Sequence, residues 1–301
     1  MNNTTVLIKE LRQATGAGFL DCKQALAAHH GDVEQAAAFL RKKNLKKAIK
    51  KTERPTSEGL VVVKTNTDSV CAVVLNCETD FVALTPDFKV FAHNLADLVL
   101  SDAALTTTED LDTAVFPSNP HQHIHAAING LIGKLGENIK LGQVVRYTVT
   151  PTTVIHSFVH AGAISGYGQD EGRLAVLVEL SVADKTTVSE HAIQTIAHDL
   201  ALHIGSAAPK YISIADIPLE VLVEKQEQLK AQVVSKNKSA VIKEKIIAGR
   251  LSKFYRENCL LLQPFSKRDT VSVADWLAAE SRGLGTAVSI TKFARLAIGT
   301  Q

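Results

Sequence analysis

The segment Thr79-Asp80-Phe81-Val82 places a hydroxyl group, a carboxylate and an aromatic ring next to one another. It follows a Val-rich run and precedes a helical pattern, so we expect it at a strand-to-helix turn. Thr and Asp are good N-cap residues, because their side-chain oxygens accept hydrogen bonds from the free N–H groups of the first helical turn. The residues alone therefore favour a helix cap at Thr79 or Asp80, with Phe81 and Val82 entering the core.

Three alternating histidines, His121, His123 and His125, raise the hypothesis of a metal site such as that of a metal-dependent hydrolase. A two-residue spacing brings side chains to one face of a strand, whereas we expect a helix from about 121 to 135. The short stretch also lacks an acidic residue that could complete a site. We favour solvated histidines and predict no metal, with the hydrolase kept as an alternative.

A second segment, Thr15-Gly16-Ala17-Gly18, resembles a phosphate-binding loop only in its glycines. Glycines let backbone N–H groups approach an anion, but the spacing and the preceding strand of such loops are missing. We therefore predict a turn between two helices.

Residues 41–54 form a basic run with eight Lys or Arg residues against one Glu. Its charge of +7 leaves −5 for the rest of the chain, because the whole chain carries +2. Such a run is typical of phosphate contacts, so an RNA-binding protein is a second alternative. The aromatic platform that would stack single-stranded bases is not evident. Because the run follows a helix and precedes Pro55, we favour a helix end and a solvated linker over 46–57.

Composition indicates a folded protein of roughly two domains. Of 301 residues, 46% are apolar and 21% charged, which excludes wholesale disorder. No apolar run reaches the roughly 18–20 residues that span a bilayer, and the first residues lack a secretory signal profile, so we expect a cytoplasmic protein. The cysteines at positions 22, 71, 77 and 259 lack zinc-site spacing and favour reduced, buried thiols.

Periodicity divides the chain into α and β segments. Residues 1–45 contain three short helical patterns, and 59–64 with 69–77 predict a β-hairpin followed by helices. Strands near 140–150, 153–160 and 173–181, a helix over 191–204 and a closing strand over 287–298 follow. Residues 216–257 are two polar-faced helices, which predict a protruding helical hairpin. We expect an α+β fold with two subdomains, 58–139 and 140–301, each with an antiparallel sheet.

Two long motifs resemble those of the elongation factor Ts family. The first runs from Leu11 to Leu26 (LRQATGAGFLDCKQAL), and the second is Asn76 to Ala83 (NCETDFVA). Shorter matches, among them Gly136-Glu137-Asn138-Ile139 and Ala201-Leu202-His203-Ile204, extend the resemblance over essentially the whole chain. Leu84 departs from the basic residue or Asn usual after the second motif, and Phe158 from a more typical Tyr.

The resemblance implies a nucleotide exchange factor, not an enzyme, with a UBA-like N-terminal module. Its partner would be elongation factor Tu, in the GDP-bound and nucleotide-free forms. Thr79, Asp80, Phe81 and Val82 would act there, with Phe81 entering the nucleotide-binding domain and Asp80 arriving near its Mg²⁺. GDP would leave, and GTP would then displace the factor.

The same resemblance assigns further contacts. Arg12, Phe19 and Leu20 would contact a helix of the partner's G domain, where the alternative is solvated charge and local core. Leu202 and His203 would face another domain of the partner, or His203 would be a hydrogen-bonded histidine of the interior. No cofactor, direct nucleic-acid contact or membrane is expected, and self-association stays open.

Overall fold

A computed structural model describes residues 3–15, 17–116, 122–162, 166–234 and 239–299. Its helices are α1 Asn3–Thr15, α2 Phe19–Ala28, α3 Val33–Ile49, α4 Asp80–Ala83, α5 Pro86–Ser101, α6 Thr108–Thr113, α7 Ile124–Leu135, α8 Glu190–Ala207, α9 Leu219–Val234, α10 Ala240–Asn258 and α11 Val273–Leu284. Its strands are β1 Glu58–Thr65, β2 Ser69–Cys77, β3 Ile139–Thr148, β4 Thr153–His160, β5 Glu171–Gly172, β6 Leu174–Val182, β7 Pro264–Phe265, β8 Arg268–Ser272 and β9 Val288–Ala297. The predicted α+β class is confirmed.

The first three helices form the predicted N-terminal module around a small core of its own. Ile8, Leu11, Cys22, Leu26 and Leu40 are all nearly or fully buried in this core. The turn before α3 is fixed by side-chain oxygens, because Asp32 accepts a hydrogen bond from the backbone N–H of Gln35 at 3.0 Å. This N-cap satisfies a donor that the first turn of α3 leaves free.

The prediction of a linker from residue 46 is wrong in its first part, because α3 continues to Ile49. Leu40, Asn44 and Ala48 are buried at a spacing of four residues, so they lie along one face of the helix. Ala48 belongs to the core beneath β1 and β2, and Gly133 of α7 approaches the Asn44 side chain so closely that a Cβ would lie 2.6 Å from it. The basic run is thus largely helical, and its buried stripe includes the polar Asn44.

The chain folds into two compact units. The first contains residues 1–148, 159–175 and 296–301, and its sheet has the order β3-β2-β1-β5. β1 and β2 form the predicted hairpin, in which Leu60 pairs with Leu75 and Val62 with Val73. The strands are Val-rich and β-branched, as suits a sheet buried under helices, and α5 and α7 contribute to the same core.

The predicted boundary at residue 140 is also wrong, because β3 pairs with β2 in the sheet of the first unit. Antiparallel pairing with a neighbouring strand, which local periodicity cannot show, decides this membership. α7 begins at Ile124 instead of 121, with His123 as its N-cap. His121 lies outside the described residues.

Glu171 connects β5 to α5 in the first unit. Its buried carboxylate accepts hydrogen bonds from Lys89 and from the Gly168 N–H at 2.8 Å, and its Oε2 lies 2.8 Å from His93 Nε2. Burial raises the pKa of Glu171, but the hydrogen bonds from Lys89, Gly168 and His93 outweigh it, so the pKa lies below its ordinary value.

The second unit contains residues 149–158 and 176–295, and its sheet has the order β4-β6-β9. β6 is the central strand, as its apolar sequence predicts, and most of its residues are buried. α9 and α10 pack against each other as the predicted helix pair. None of the described side chains of α10 is buried, which is consistent with its polar sequence.

Candidate protein-binding site

The strand-to-helix turn lies where the sequence predicts it, between the end of β2 at Cys77 and the start of α4 at Asp80. Thr79 is the N-cap, with extended backbone angles, and its hydroxyl accepts a hydrogen bond from the Val82 N–H at 3.4 Å. A second Thr-capped helix follows at once, because Thr85 caps α5 and Pro86 occupies its first turn. The Thr85 hydroxyl also donates to the Val82 carbonyl at 2.8 Å. Two consecutive caps therefore fix both ends of α4.

The side chains of α4 differ in their exposure to solvent. Val82 is 9% exposed and Ala83 fully buried, and both pack into the core of the first unit. Phe81 is 81% exposed, the highest exposure among the large apolar side chains of the described residues. The expectation from residue type that Phe81 enters the core is therefore wrong, and its exposure is consistent with the contact outside the chain that the resemblance implies. For Val82 the expectation from residue type is right. Val82 anchors the helix, and Phe81 is left for a contact outside it.

The thiols near this turn are buried and chemically inert. The Cys77 thiol donates to the Thr79 carbonyl at 3.0 Å, and Cys71 lies on the same strand beneath α5. Burial, with the nearby Glu137 and Glu58 carboxylates, raises the pKa of Cys77 to about 12. Burial likewise raises the pKa of Cys71 to about 11. Neither thiol has the thiolate character that a nucleophile needs.

The N-terminal module presents a second exposed apolar surface. Phe19 and Leu20 begin α2 and are 51% and 70% exposed, and Arg12 on α1 is exposed as well. The alternative that Phe19 and Leu20 form local core is therefore wrong. Val6 and Phe39 are two further exposed apolar residues of the module that the sequence interpretation did not select.

In the second unit the structure favours the interior histidine over a partner contact. His203 is 1% exposed, its Nε2 lies 3.0 Å from Gln263 Oε1, and its Nδ1 accepts a hydrogen bond from the Ser266 N–H at 3.2 Å. Burial lowers its pKa, despite the hydrogen bond to Gln263. A side chain this enclosed cannot touch a partner directly. Leu202 beside it is half-buried and stays a prediction.

The histidine cluster does not form the arrangement that a metal site requires within the part of the chain that is described. His123 Nδ1 lies 2.7 Å from the Thr113 carbonyl, and the rings of His123 and His125 are stacked with centroids 6.2 Å apart. No group of three or more potential metal ligands occurs among the described residues. The hydrolase alternative therefore gains no support from the geometry.

Part of the basic run is already engaged within the protein. Lys43 forms an ion pair with Asp21 at 2.8 Å, and Lys51 donates to the Gly136 carbonyl. The first contact attaches α3 to α2, and the second attaches the segment just after α3 to the end of α7. They give the RNA-binding alternative less free charge than the sequence suggests.

Exposed large apolar side chains, such as Phe81 and those of the N-terminal module, are typical of surfaces that bind another protein. No helix among the described residues is long and apolar enough to cross a membrane.

Comparison with known proteins agrees with this class. A family model described as elongation factor TS matches residues 78–300. The elongation factor Ts of Bdellovibrio bacteriovorus is 34% identical over 300 residues, which cover 99% of this chain and 93% of the relative. Those of Clostridium botulinum and Trichlorobacter lovleyi are 36% and 35% identical, over 97% and 98% of this chain and 91% and 92% of theirs. The chain belongs to the elongation factor Ts family of translation elongation factors.

Proposed function

We propose that this protein is the guanine-nucleotide exchange factor of elongation factor Tu. It binds the GDP-bound partner, promotes release of GDP and holds the nucleotide-free form until GTP binds. It acts through protein–protein contacts, without a covalent step.

The observation that carries the proposal is the exposed Phe81 ring on a short helix that is anchored by the buried side chains of Val82 and Ala83. An aromatic ring with 81% exposure gains little from the fold of its own chain, whereas its burial in a partner is favourable. Because Val82 and Ala83 are buried, and Thr residues cap both α4 and the following α5, little conformational entropy is lost when Phe81 inserts. Phe81 is therefore suited to act as a wedge.

Asp80 supplies the electrostatic part of the proposal. A GTPase holds GDP through backbone N–H groups and Mg²⁺, which neutralise the phosphate charge. The Asp80 carboxylate, partly exposed in the first turn of α4, is repelled by the phosphates when it approaches them. Insertion of Phe81 beside it stabilises a shifted form of the partner in which Mg²⁺ and the phosphates are poorly held. Both effects weaken GDP binding.

Linkage explains the release of the factor. If the factor weakens GDP binding by a certain ratio, GDP weakens binding of the factor by the same ratio. GTP displaces the factor through the same coupling. The N-terminal residues Arg12, Phe19 and Leu20 retain the partner during this exchange, and Leu202 is a candidate contact in the second unit.

The test is the release of fluorescent GDP from elongation factor Tu after a chase with excess unlabelled GTP. The proposal predicts that catalytic amounts of the protein accelerate release, and that added GDP competes with the binding of the factor. A folded sample that leaves the release rate of a competent partner unchanged would refute the proposal. The variant Phe81→Ala then tests whether the acceleration of GDP release depends on the strand-to-helix turn.

A further inference from the structure

Two carboxylates, those of Glu78 and Glu137, form hydrogen bonds at the strand-to-helix turn. Glu78 follows β2, and its Oε1 accepts a hydrogen bond from the Asn138 N–H at 2.6 Å. Glu137 precedes β3, and its two oxygens accept hydrogen bonds from both donors of Thr79, the backbone N–H at 3.0 Å and the hydroxyl at 2.6 Å. We call these residues the Glu78/Glu137 pair. Each carboxylate thus binds a residue beside the end of the neighbouring strand, and nothing in the sequence spacing predicts these contacts.

The pair continues the register of the sheet beyond its last backbone pairing. β2 and β3 pair Asn76 with Lys140 and Cys77 with Ile139, so the next positions are 78 opposite 138 and 79 opposite 137. At those positions the acceptors are carboxylates instead of backbone carbonyls. A hydrogen bond to an ionised acceptor is stronger than one between neutral groups. The strand ends therefore stay joined although the chain leaves β2 to begin α4.

Glu137 also orients the hydroxyl that caps α4. Because the Thr79 hydroxyl donates its hydrogen to Glu137, its oxygen lone pairs are available to accept from the Val82 N–H. The backbone of Glu137 is itself fixed, since the preceding Gly136 ends α7 in the left-handed conformation at φ +82°. The carboxylate of Glu137, at the start of the neighbouring strand β3, thus fixes the Thr79 cap from which α4 and its exposed Phe81 ring begin.

We propose that Glu137 is a positioning residue of the exchange turn: it fixes Thr79 and thereby holds Phe81 and Asp80 ready for insertion before the partner binds. The inference rests on the proposed exchange function. Without the Glu137 carboxylate the turn loses two hydrogen bonds, and its residues must be ordered at the moment of insertion. We expect the cost to appear in the insertion step, while the N-terminal module still forms the initial complex.

The test compares Glu137→Ala and Glu137→Gln with the wild type in the full chain. Glu109→Ala is the matched control, because it removes an exposed carboxylate from α6 of the same unit. Amide hydrogen exchange of the free protein should show faster exchange over residues 78–85 in Glu137→Ala, with other segments unchanged. Glu137→Gln keeps one acceptor oxygen for Thr79 and should fall between Glu137→Ala and the wild type.

GDP release measured over a range of factor concentrations supplies the second readout. Loss of these charged hydrogen bonds predicts a maximal release rate about tenfold lower for Glu137→Ala, with little change in the half-saturating concentration. A mere loss of folded protein would instead raise the apparent half-saturating concentration and leave the maximal rate unchanged. Partial recovery in Glu137→Gln is expected, and Glu109→Ala should match the wild type.

The outcomes separate the inference from the proposed function. An active wild type with an equally active Glu137→Ala would overturn the inference alone, as would unchanged hydrogen exchange over residues 78–85. A wild type that does not accelerate GDP release would refute the proposed function, and with it the proposed role of Glu137 in exchange.

Discussion

Replacement of Phe81 by alanine removes the exposed ring from a turn that does not need it for folding. The ring is 81% exposed, and α4 is anchored by Val82 and Ala83 and capped by Thr79. We therefore expect the free energy of unfolding to change by no more than about 0.5 kcal/mol, as is usual for surface positions. The substitution should instead reduce the rate of GDP release from the partner.

The exposed area sets the size of that effect. A phenylalanine buries about 150–250 Å² when it enters an interface, and most of this area is accessible in the free chain. At about 25 cal/mol per Å², burial is worth about 4 kcal/mol, of which alanine would retain a part. A net loss of about 2 to 2.7 kcal/mol, within the range of interface hot spots, corresponds to about thirtyfold to a hundredfold in rate.

The assay is fluorescent GDP release from elongation factor Tu at several factor concentrations, together with thermal unfolding of each variant. Leu219→Ala is the control, because Leu219 is an exposed apolar residue at 73% exposure outside the turn. It should exchange like the wild type. If Phe81→Ala accelerates GDP release as well as Leu219→Ala does, the wedge role of Phe81 is refuted, whatever its effect on stability.

Three further predictions concern stability and reactivity. The pKa of Glu171 is lower in the folded protein than its value of 4.5 in the unfolded chain. The Glu171 carboxylate therefore stabilises the fold at pH values above 4.5, and this stabilisation is lost as the pH falls through the folded pKa. The difference in melting temperature between the wild type and Glu171→Gln should therefore shrink as thermal scans move from pH 7 to below pH 4.5; a constant difference would contradict this. His203→Ala should lower the free energy of unfolding by about 2–4 kcal/mol in urea titrations, because two buried hydrogen bonds are lost, and a loss below about 0.5 kcal/mol would argue against a structural role. Cys71 and Cys77 should resist alkylation at pH 8 until denaturant is added, since burial raises their pKa to about 11 and about 12, and rapid modification of the native protein would exclude this.

Local patterns predicted the secondary structure well. The Val-rich runs over 59–64 and 69–77 identified β1 and β2, and the apolar run over 173–181 identified the strand β6. A helix cap at Thr79 or Asp80 also followed from residue type, because short polar side chains accept hydrogen bonds from the first helical turn, and the structure shows that Thr79 is the cap. These features depend on contacts between residues that are close in the sequence, so local sequence patterns suffice to predict them.

The errors occurred where distant segments decide the outcome. The linker from residue 46 was predicted from charge, but packing against α7 and the sheet buries Asn44 and Ala48 on one face of a helix that continues to Ile49. β3 was assigned to the wrong unit because its partner is β2, more than 60 residues earlier. His203 stayed ambiguous, since the Gln263 that satisfies it lies 60 residues away.

By itself the sequence determined the element types, the N-terminal three-helix module and, through its long motifs, the family. Only the tertiary structure decided which side chains are free to act. Phe81 and Val82 are adjacent and both apolar, yet Phe81 is exposed and Val82 buried, because consecutive residues of a helix point in different directions and only Val82 meets the core. The contact between Glu137 and Thr79 likewise arises from the pairing of β2 with β3, and pairing between strands brings together residues that no local pattern connects.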